Sequence, residues 1–486
     1  MIMNYLAFDL GGSSGKLMLG TYEDGRLSLK RIHRFDNSPV EVDGSLYWDI
    51  DRIVDELRIG MAKAEEETGG RIDGMGFDSF CNDFVLINEM GERLAPVYCY
   101  RDARTLRNQD EMYRVMSKES LYAVNGNQIA PFNTLNQLHA MKAEGRQELL
   151  EKADKALFVS DYFIFLLTGV KQTEYTTASV TQMYDYGEGT WSAKILERYG
   201  IDSRLFAPLA YPGTLAGDTD KGIPVYTVCQ HDTGSAFLAS QGGANTGIIS
   251  TGTWCIAGIE TDGPVIRPEG FAINAANEGG FPGPHHRLLK NVMGTWIIQE
   301  MLRELNEQGE SLTYGDLEEM AQRSVGAEGY IDVDAPQFYQ PGEMIRKVQD
   351  NLKEMTGRAE DNKGTLVYIV YKSLAFKYRM IFEQLEELTG KRIDRINMIG
   401  GGIQSGLMCR LTAQITGRQV QAGPEDATAI GNILAQMKAS GAISSIEEGR
   451  QVIRESFPVE TYMPEPDEII EAEYRAFSKA LRDTER

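Results

Sequence analysis

The chain has 486 residues, too many for one hydrophobic core, so two domains are expected. Its net charge of −22 argues against a nucleic-acid partner, whose phosphates call for Lys and Arg, but leaves room for ATP at a local site. Five scattered cysteines without a CxxC pair, no basic or cleavable leader in MIMNYLAFDLGG and no apolar run near ~20 residues point to a cytoplasmic protein with reduced thiols and no membrane span.

NYLAFDL, KLMLGTYE and LSLKRIHRF read as three strands joined by GGSSG and EDGR, turns short enough to make antiparallel hairpins. WDIDRIVDELRIGMAKAEEE follows with Ile53, Leu57, Met61 and Ala64 at helical spacing. RIDGMGFDSF is a further strand. GIPVYTVCQHDTGSAFLAS is a strand running into a helix, with His231-Asp232-Thr233 at the junction. Near the middle the opening recurs: NTGIISTGTWCIAGIE is strand, turn and strand. NVMGTWIIQEMLRE and residues 366–388 read as helices. RINMIGGG is a buried strand ending in glycines, GLMCRLTAQITG a helix closing on Gly417, RQVQAG a strand and AIGNILAQMKASG a helix ending at Gly441. Such alternation marks an α/β chain that starts one pattern twice, at Tyr5 and near Thr246. The expected domains are 1–243 and 244–443, with 444–486 as a charged helical extension.

DLGGSSGK, at 9–16, is the first candidate for a phosphate cradle. It is no P-loop, because Leu10 stands where the first glycine belongs and Leu17 follows Lys16. It is no dinucleotide fingerprint either, because Lys16–Gly20 continues as a strand. What remains is a hairpin turn, either plain or a nest of backbone N–H groups for an anion, with Asp9 placed toward a metal-bound water. Ser250-Thr251-Gly252-Thr253 is a second such turn, and IGGGIQSG a third piece where a flat ligand could lie against bare backbone. Asp232 reads both as a helix N-cap and as a general base facing a hydroxyl acceptor. Phosphoryl transfer asks little more of a protein than positioning, Mg²⁺ and such a carboxylate. His285-His286, in a Pro/Gly loop, is expected to be solvated.

Taken in order, these segments resemble the FGGY carbohydrate kinases, and within them look most like the rhamnulokinases. The stretches that carry the resemblance cover nearly the whole chain. They are DLGGSSGK, YRDART (100–105), FNTLNQL (132–138), DYFIFLLTG (161–169), EYTTASVTQM (174–183), HDTGSA (231–236), STGTW (250–254), NEGG (277–280), LKNVMGTW (289–296), IGGG (399–402) and GPEDATAIGNI (423–433). The resemblance implies two actin-like (ribonuclease H-like) lobes with a nucleotide and sugar cleft. It implies an ATP-dependent kinase acting on the primary hydroxyl of a ketose, with ATP and Mg²⁺ as cofactors and a small-molecule ketose as partner. Asp232 takes the place of the catalytic base, with His231 and Thr233 beside it in the sugar site and Asn291 also contacting sugar. Gly12, Ser13, Ser14, Gly15 and Lys16 match the phosphate turn; Thr253, Gln299 and Gly402 match nucleotide contacts. With Mg²⁺ bridging phosphate oxygens, Asp9 at the end of the first strand is expected near the metal's water shell. One stretch departs from the family: where rhamnulokinases carry a DTWGVDF-like wall of the sugar pocket, this chain reads DSFCNDF, Asp78–Phe84. Cys81 replaces a glycine and Asn82 an apolar residue, while Asp83 survives, so L-rhamnulose is the leading substrate and L-fuculose or L- or D-xylulose the alternatives. A nucleotide-binding protein without kinase activity is the remaining reading.

Overall fold

A computed structural model describes residues 2–243, 245–283 and 285–484. The N-terminal hairpins form as expected: β1 (Met3–Leu10), β2 (Ser14–Glu23) and β3 (Arg26–Asp36) are antiparallel neighbours. β1 is buried on both faces from Tyr5 to Phe8, which suits a strand inside a sheet rather than at its edge. On its other side runs β4 (Gly74–Ser79), parallel to it, with Asp9 opposite Asp78. With β5 (Thr214–Asp218) and β6 (Pro224–Thr227) the sheet order is β5-β6-β4-β1-β2-β3. Between β3 and β4 comes α1 (Ile50–Thr68), started by the Asp49 carboxylate on Arg52 N at 3.1 Å and closed by Gly69 at φ 62°. It buries Ile53, Leu57 and Ala64 against Leu6, Phe8, Leu17 and Phe77 of the sheet.

Contacts divide the chain into two units that depart from contiguous domains. The first holds Met1–Gly242, Glu260–Leu288 and Ala427–Phe457; the second holds Gly243–Ile259, Leu289–Asp426 and Pro458–Arg486. The expected boundary at Ala244 lies outside the described residues. The chain returns to the first unit through the helix Ala427–Ser440, which is buried nearly all round and packs on β1 and on α2 (Asp232–Leu238). Gln436 Nε2 donates to Leu6 O at 2.9 Å. Gly431 lets the two helices meet: a Cβ there would lie 1.8 Å from Ser235 O. Gly431→Ala should therefore push α2 away and cost about 1–3 kcal/mol or more, as overpacking does, read as a lowered thermal midpoint together with lost activity. The expected extension is shared out. The helix Ile446–Ser456 joins the first unit, with Arg450 on Glu260 at 2.7 Å. The helix Glu468–Thr484 joins the second, with Glu473 on Lys372 at 2.6 Å.

In the second unit β7 (Thr246–Thr251) and β8 (Trp254–Thr261) form the second hairpin. β9 (Arg395–Ile399) runs parallel to β7, with β10 (Gln419–Ala422) and β11 (Glu460–Tyr462) beyond it, giving the run β8-β7-β9-β10-β11. This is the arrangement β2-β1-β4 of the first unit again, so the weak repeat in the sequence is a repeat of topology. The helices Lys363–Thr389 and Gly406–Thr416 end on Gly390 and Gly417, both left-handed caps. One expected element is different. NVMGTWIIQEMLRE is not one helix: Asn291–Met293 finishes the strand His286–Met293, and the helix is Trp296–Glu307. The chain turns at Gly294-Thr295, whose N–H groups donate to Thr253 O and Gly252 O at 3.1 and 3.0 Å and so cannot start a helix at Asn291.

Candidate functional site

In the first unit the turn Gly11–Ser13 is braced from outside the hairpin. Gly11 N donates to Ser14 O, Asn37 N donates to Ser13 O, and Asn37 Nδ2 donates to Gly11 O at 2.8 Å. Asn37 is wholly buried and was not singled out by sequence. Gly12 passes close under Tyr100; a Cβ would sit 2.6 Å from its hydroxyl. Only a residue without a side chain fits under Tyr100 at this turn, and Ser13 at its tip is exposed. Lys16 is the Cα partner of Asp9, which places one cation and one carboxylate at the foot of the turn.

Carboxylates gather beside it. Asp78 is 1% exposed and accepts from Asn432 Nδ2 at 2.5 Å, while its Oδ1 has no partner. Burial, then the charge of Asp9, and also that of Asp232, hold Asp78 well above its ordinary value. Three carboxylates within electrostatic reach, one with a bare oxygen, fit a cation. Among the described residues no three His, Cys, Asp or Glu side chains are arranged to hold a metal directly. The fit is therefore to a hydrated ion such as Mg²⁺, which keeps several waters and is shared with phosphates.

His231-Asp232-Thr233 stands where expected, at the start of α2, but His231 is the N-cap and Asp232 the first helical residue. Asp232 is one-third exposed at its side chain and accepts from Thr233 N at 2.6 Å and Thr233 Oγ1 at 3.2 Å. The segment before it is laced to the DSFCNDF wall: Ser79 N donates to Gln230 O at 2.8 Å, and Ser79 bridges to His231. His231 is 7% exposed, with Nε2 3.5 Å from Asp232 Oδ1 and Nδ1 3.3 Å from Glu278 Oε2. Burial pushes the imidazole down, but Cys81 and Glu278 outweigh it and hold it well above its ordinary value. Glu278 in turn lies 2.9 Å from the buried guanidinium of Arg287. NEGG marked the stretch that carries Glu278, but neither it nor Arg287 was foreseen as a partner of His231.

On the wall itself, Cys81 is half-buried and the other four cysteines are buried. Asn82 adopts φ 78°, a left-handed backbone that Asn tolerates, and its Nδ2 donates to Cys81 Sγ at 3.0 Å. Its amide is therefore used within the wall. Asp83, expected to touch substrate, instead ties the wall to the protein behind it. It is 1% exposed, and its carboxylate accepts from Trp48 Nε1 (2.6 Å), Tyr100 N (2.9 Å) and Gln137 Nε2 (2.7 Å). Burial pushes it up to about 7 against these three donors.

Behind the junction lies Glu174, fully buried, from EYTTASVTQM. It accepts from Thr176 N (2.8 Å), Thr176 Oγ1 (2.5 Å), Thr177 N (3.0 Å) and Gln230 N (3.3 Å), and Thr176 Oγ1 takes His231 N at 3.1 Å. Burial raises it from its ordinary 4.5 to about 7. The folded chain then keeps this proton where the unfolded chain has released it. The associated stability is full below pH 4.5 and is lost as pH rises to 7, by roughly 3 kcal/mol at most. Glu174→Gln never ionises, so its destabilisation relative to the parent should be larger at pH 5 than at pH 8 in chemical denaturation.

The second unit holds the remaining expected residues. Thr253 lies in the β7–β8 turn with its Oγ1 3.5 Å from Gln299 Oε1, and Gln299 Nε2 donates to Thr295 Oγ1 at 3.0 Å. Gly402 lies in the short turn Gly401–Gln404 after β9, against Thr251, whose Oγ1 donates to Ile399 O at 2.6 Å. Thr253, Gln299 and Thr295 therefore form one group and Gly402 caps the adjacent strand. Asn291 is on the strand His286–Met293, half-buried. His285 and His286 are not solvated: His285 Nδ1 lies 3.0 Å from Glu260 Oε1, and His286 Nε2 lies 3.1 Å from Tyr175 Oη, with burial pushing His286 below its ordinary value.

Comparison with known proteins adds the following. The model of the FGGY family of carbohydrate kinases, N-terminal domain, matches residues 4–230, and that of the C-terminal domain matches residues 247–440. The chain is 36% identical over 485 residues to a rhamnulokinase of Ligilactobacillus salivarius (strain UCC118), covering 97% of this chain and 98% of that one. It is 36% identical over 473 residues to a rhamnulokinase of Bacillus subtilis (strain 168), covering 95% and 96%. A ligand-bound xylulose kinase from Lactobacillus acidophilus superposes with a TM-score of 0.82 at 16% identity, over 99% of this chain and 97% of that one. A xylulose kinase from Rhodospirillum rubrum gives 0.80 at 18%, over 99% and 98%. At such identities these structures speak to fold alone.

Proposed function

Because the chain belongs to the FGGY family of carbohydrate kinases, we propose that it transfers the γ-phosphate of ATP to the primary hydroxyl of L-rhamnulose, giving L-rhamnulose 1-phosphate in the cytoplasm. The observation that carries this reading is Asp232. It is a partly exposed carboxylate at a helix start, 3.5 Å from the buried His231 and within electrostatic reach of Asp78, which lies opposite Asp9 in the sheet. As the ketose oxygen attacks the γ-phosphorus, its O–P bond forms, the bond to ADP breaks and the hydroxyl proton passes to Asp232 Oδ. His231, held by Glu278 and Arg287, and Thr233 line the sugar beside it, with Asn291 as a further sugar contact. Backbone N–H groups of Gly12–Gly15 and the Lys16 ammonium hold phosphate, and Thr253, Gln299 and Gly402 hold the nucleotide. Mg²⁺, when bound, would supply charge neutralisation for the transferred phosphate, and Asp9 and Asp78 are the residues that would hold it.

A second ketose remains in competition because of one feature, the thiol of Cys81 in the wall. The deciding experiment is ADP release from ATP-Mg²⁺ with L-rhamnulose, L-fuculose, L- and D-xylulose and L- and D-ribulose, with Asp232→Asn as the blank. Highest kcat/KM on L-rhamnulose is expected. A preference for L-fuculose or a xylulose would overturn the substrate and keep the chemistry. ATP binding without sugar-dependent ADP release would overturn both.

A further inference from the structure

His231 lies between two carboxylates. Its Nε2 is 3.5 Å from Asp232 Oδ1, and its Nδ1 is 3.3 Å from Glu278 Oε2. The ring and Glu278 are both buried. A neutral imidazole carries one N–H and would turn a lone pair toward one of these acceptors. Only a ring with both N–H groups suits both.

The stretch NEGG builds this arrangement. Glu278 ends the strand Ala276–Glu278, which lies beside His286–Met293, the strand that carries Arg287. Gly279 follows, and a Cβ there would meet the Tyr175 ring at 2.6 Å. Its carbonyl accepts from Arg287 Nε at 2.9 Å and Nη2 at 2.7 Å, which fixes the guanidinium with Nη1 2.9 Å from Glu278 Oε2. Arg287 Nη2 also comes to 3.3 Å from His231 Nδ1, but its shorter bond is to Gly279 O. Glu278 Oε2 meets both groups off the hydrogen-bond directions, so its hold on His231 is through charge. Burial pushes Glu278 up, but Arg287 and then His231 outweigh it and hold it below its ordinary value. The other neighbour of the ring, Cys81, is pushed up by burial and offers a thiol rather than a charge. Glu278 is therefore the anion on the Nδ1 side.

We propose that Glu278 is a positioning residue for the phosphoryl transfer: it holds His231 as an imidazolium, so that the N–H beside Asp232 is a charged donor to the ketose. Arg287, clamped by Gly279 O, keeps Glu278 in place. A charged donor is roughly twice as strong as a neutral one, and that difference is what Glu278 adds at the sugar. The role toward ketose rests on the kinase reading; the charge on the ring does not.

The test uses the full chain carrying ¹⁵N-labelled histidine. Of the five histidine rings, His231 is the one whose signals vanish in His231→Gln. In the parent near neutral pH both its ring nitrogens should carry protons. In Glu278→Gln one of them should show the shift of a bare nitrogen. Glu278→Gln should also raise the ketose KM about tenfold or more and leave the KM for ATP within about twofold. Glu278→Asp keeps the charge and should return the ketose KM to within about threefold of the parent, whereas a merely structural role would be served better by the near-isosteric Gln. Should Glu278→Gln fail to fold, the ring signals of the parent and of Glu278→Asp still decide, and both should show two protonated nitrogens. A bare ring nitrogen on His231 in the parent, or a ketose KM no higher in Glu278→Gln than in Glu278→Asp, would overturn the proposal. A doubly protonated ring in a chain that releases no ADP with any ketose would uphold the charge on His231 and overturn the kinase reading, and the positioning role with it.

Discussion

Asp232→Asn should lower ketose-dependent ADP release by about 10²- to 10⁴-fold, the usual worth of a general base, with ATP affinity kept. The substitution is close to isosteric. An Asn Oδ1 still accepts from Thr233 N, which sits 2.6 Å from the Asp232 carboxylate, so the start of α2 survives. What is lost is the capacity to take the hydroxyl proton as the ketose oxygen meets the γ-phosphorus. The loss belongs to the transition state, so kcat should fall with little change in the KM for either substrate. Asp232 also adds to the charge that holds Asp78 above its ordinary value, and removing it relieves the buried Asp78. A stability loss is therefore not expected, which separates a catalytic effect from a folding one. Turnover within a few-fold of the parent would remove Asp232 from the mechanism.

The sequence was most legible where chemistry and chain order coincide. Hairpin turns, the helix ends at Gly417 and Gly441 and the HDT junction are local signals, and each element stands near its expected place. The doubled opening was legible for the same reason, as a strand–turn–strand pattern that needs no knowledge of packing. Partnerships across the chain were not legible. Glu278 and Arg287 reach His231 from more than forty residues away, and Glu174 supports the same segment from the other direction. No spacing rule announces a buried carboxylate whose partners are backbone N–H groups. Asp83 was placed in the sugar site by its motif, yet only burial reveals that its three hydrogen bonds go to protein. His285-His286 misled because Pro and Gly around it suggest an exposed loop, whereas Glu260 and Tyr175 enclose it. The split of residues 444–486 was hidden for a related reason: the apolar face of Ile446–Ser456 shows that it packs, not against which unit.

Cys81→Gly, which restores the glycine of the family pattern, should raise the preference for L-rhamnulose over L-fuculose by about 10- to 200-fold in the ratio of kcat/KM, the span that one added or missing side-chain group commands in a pocket. Cys81 is the one cysteine that is not buried, and its thiol is oriented by Asn82 Nδ2 and packed toward His231. Deleting it opens space at the sugar and releases the amide of Asn82. The effect should fall on KM more than on kcat, because Asp232 and its Thr233 partner are left in place. Replacing Asn82 by Val, the apolar residue of the family pattern, is a poorer probe: a β-branched side chain at φ 78° is strained whatever the sugar. The two departures from the family thus depend on one another. Asn82 supplies the left-handed backbone and the donor, and Cys81 supplies the acceptor. If the wall were neutral drift, Cys81→Gly would leave the ratio of kcat/KM values unchanged across the ketoses, and the specificity would have to be sought in His231, Thr233 and Asn291.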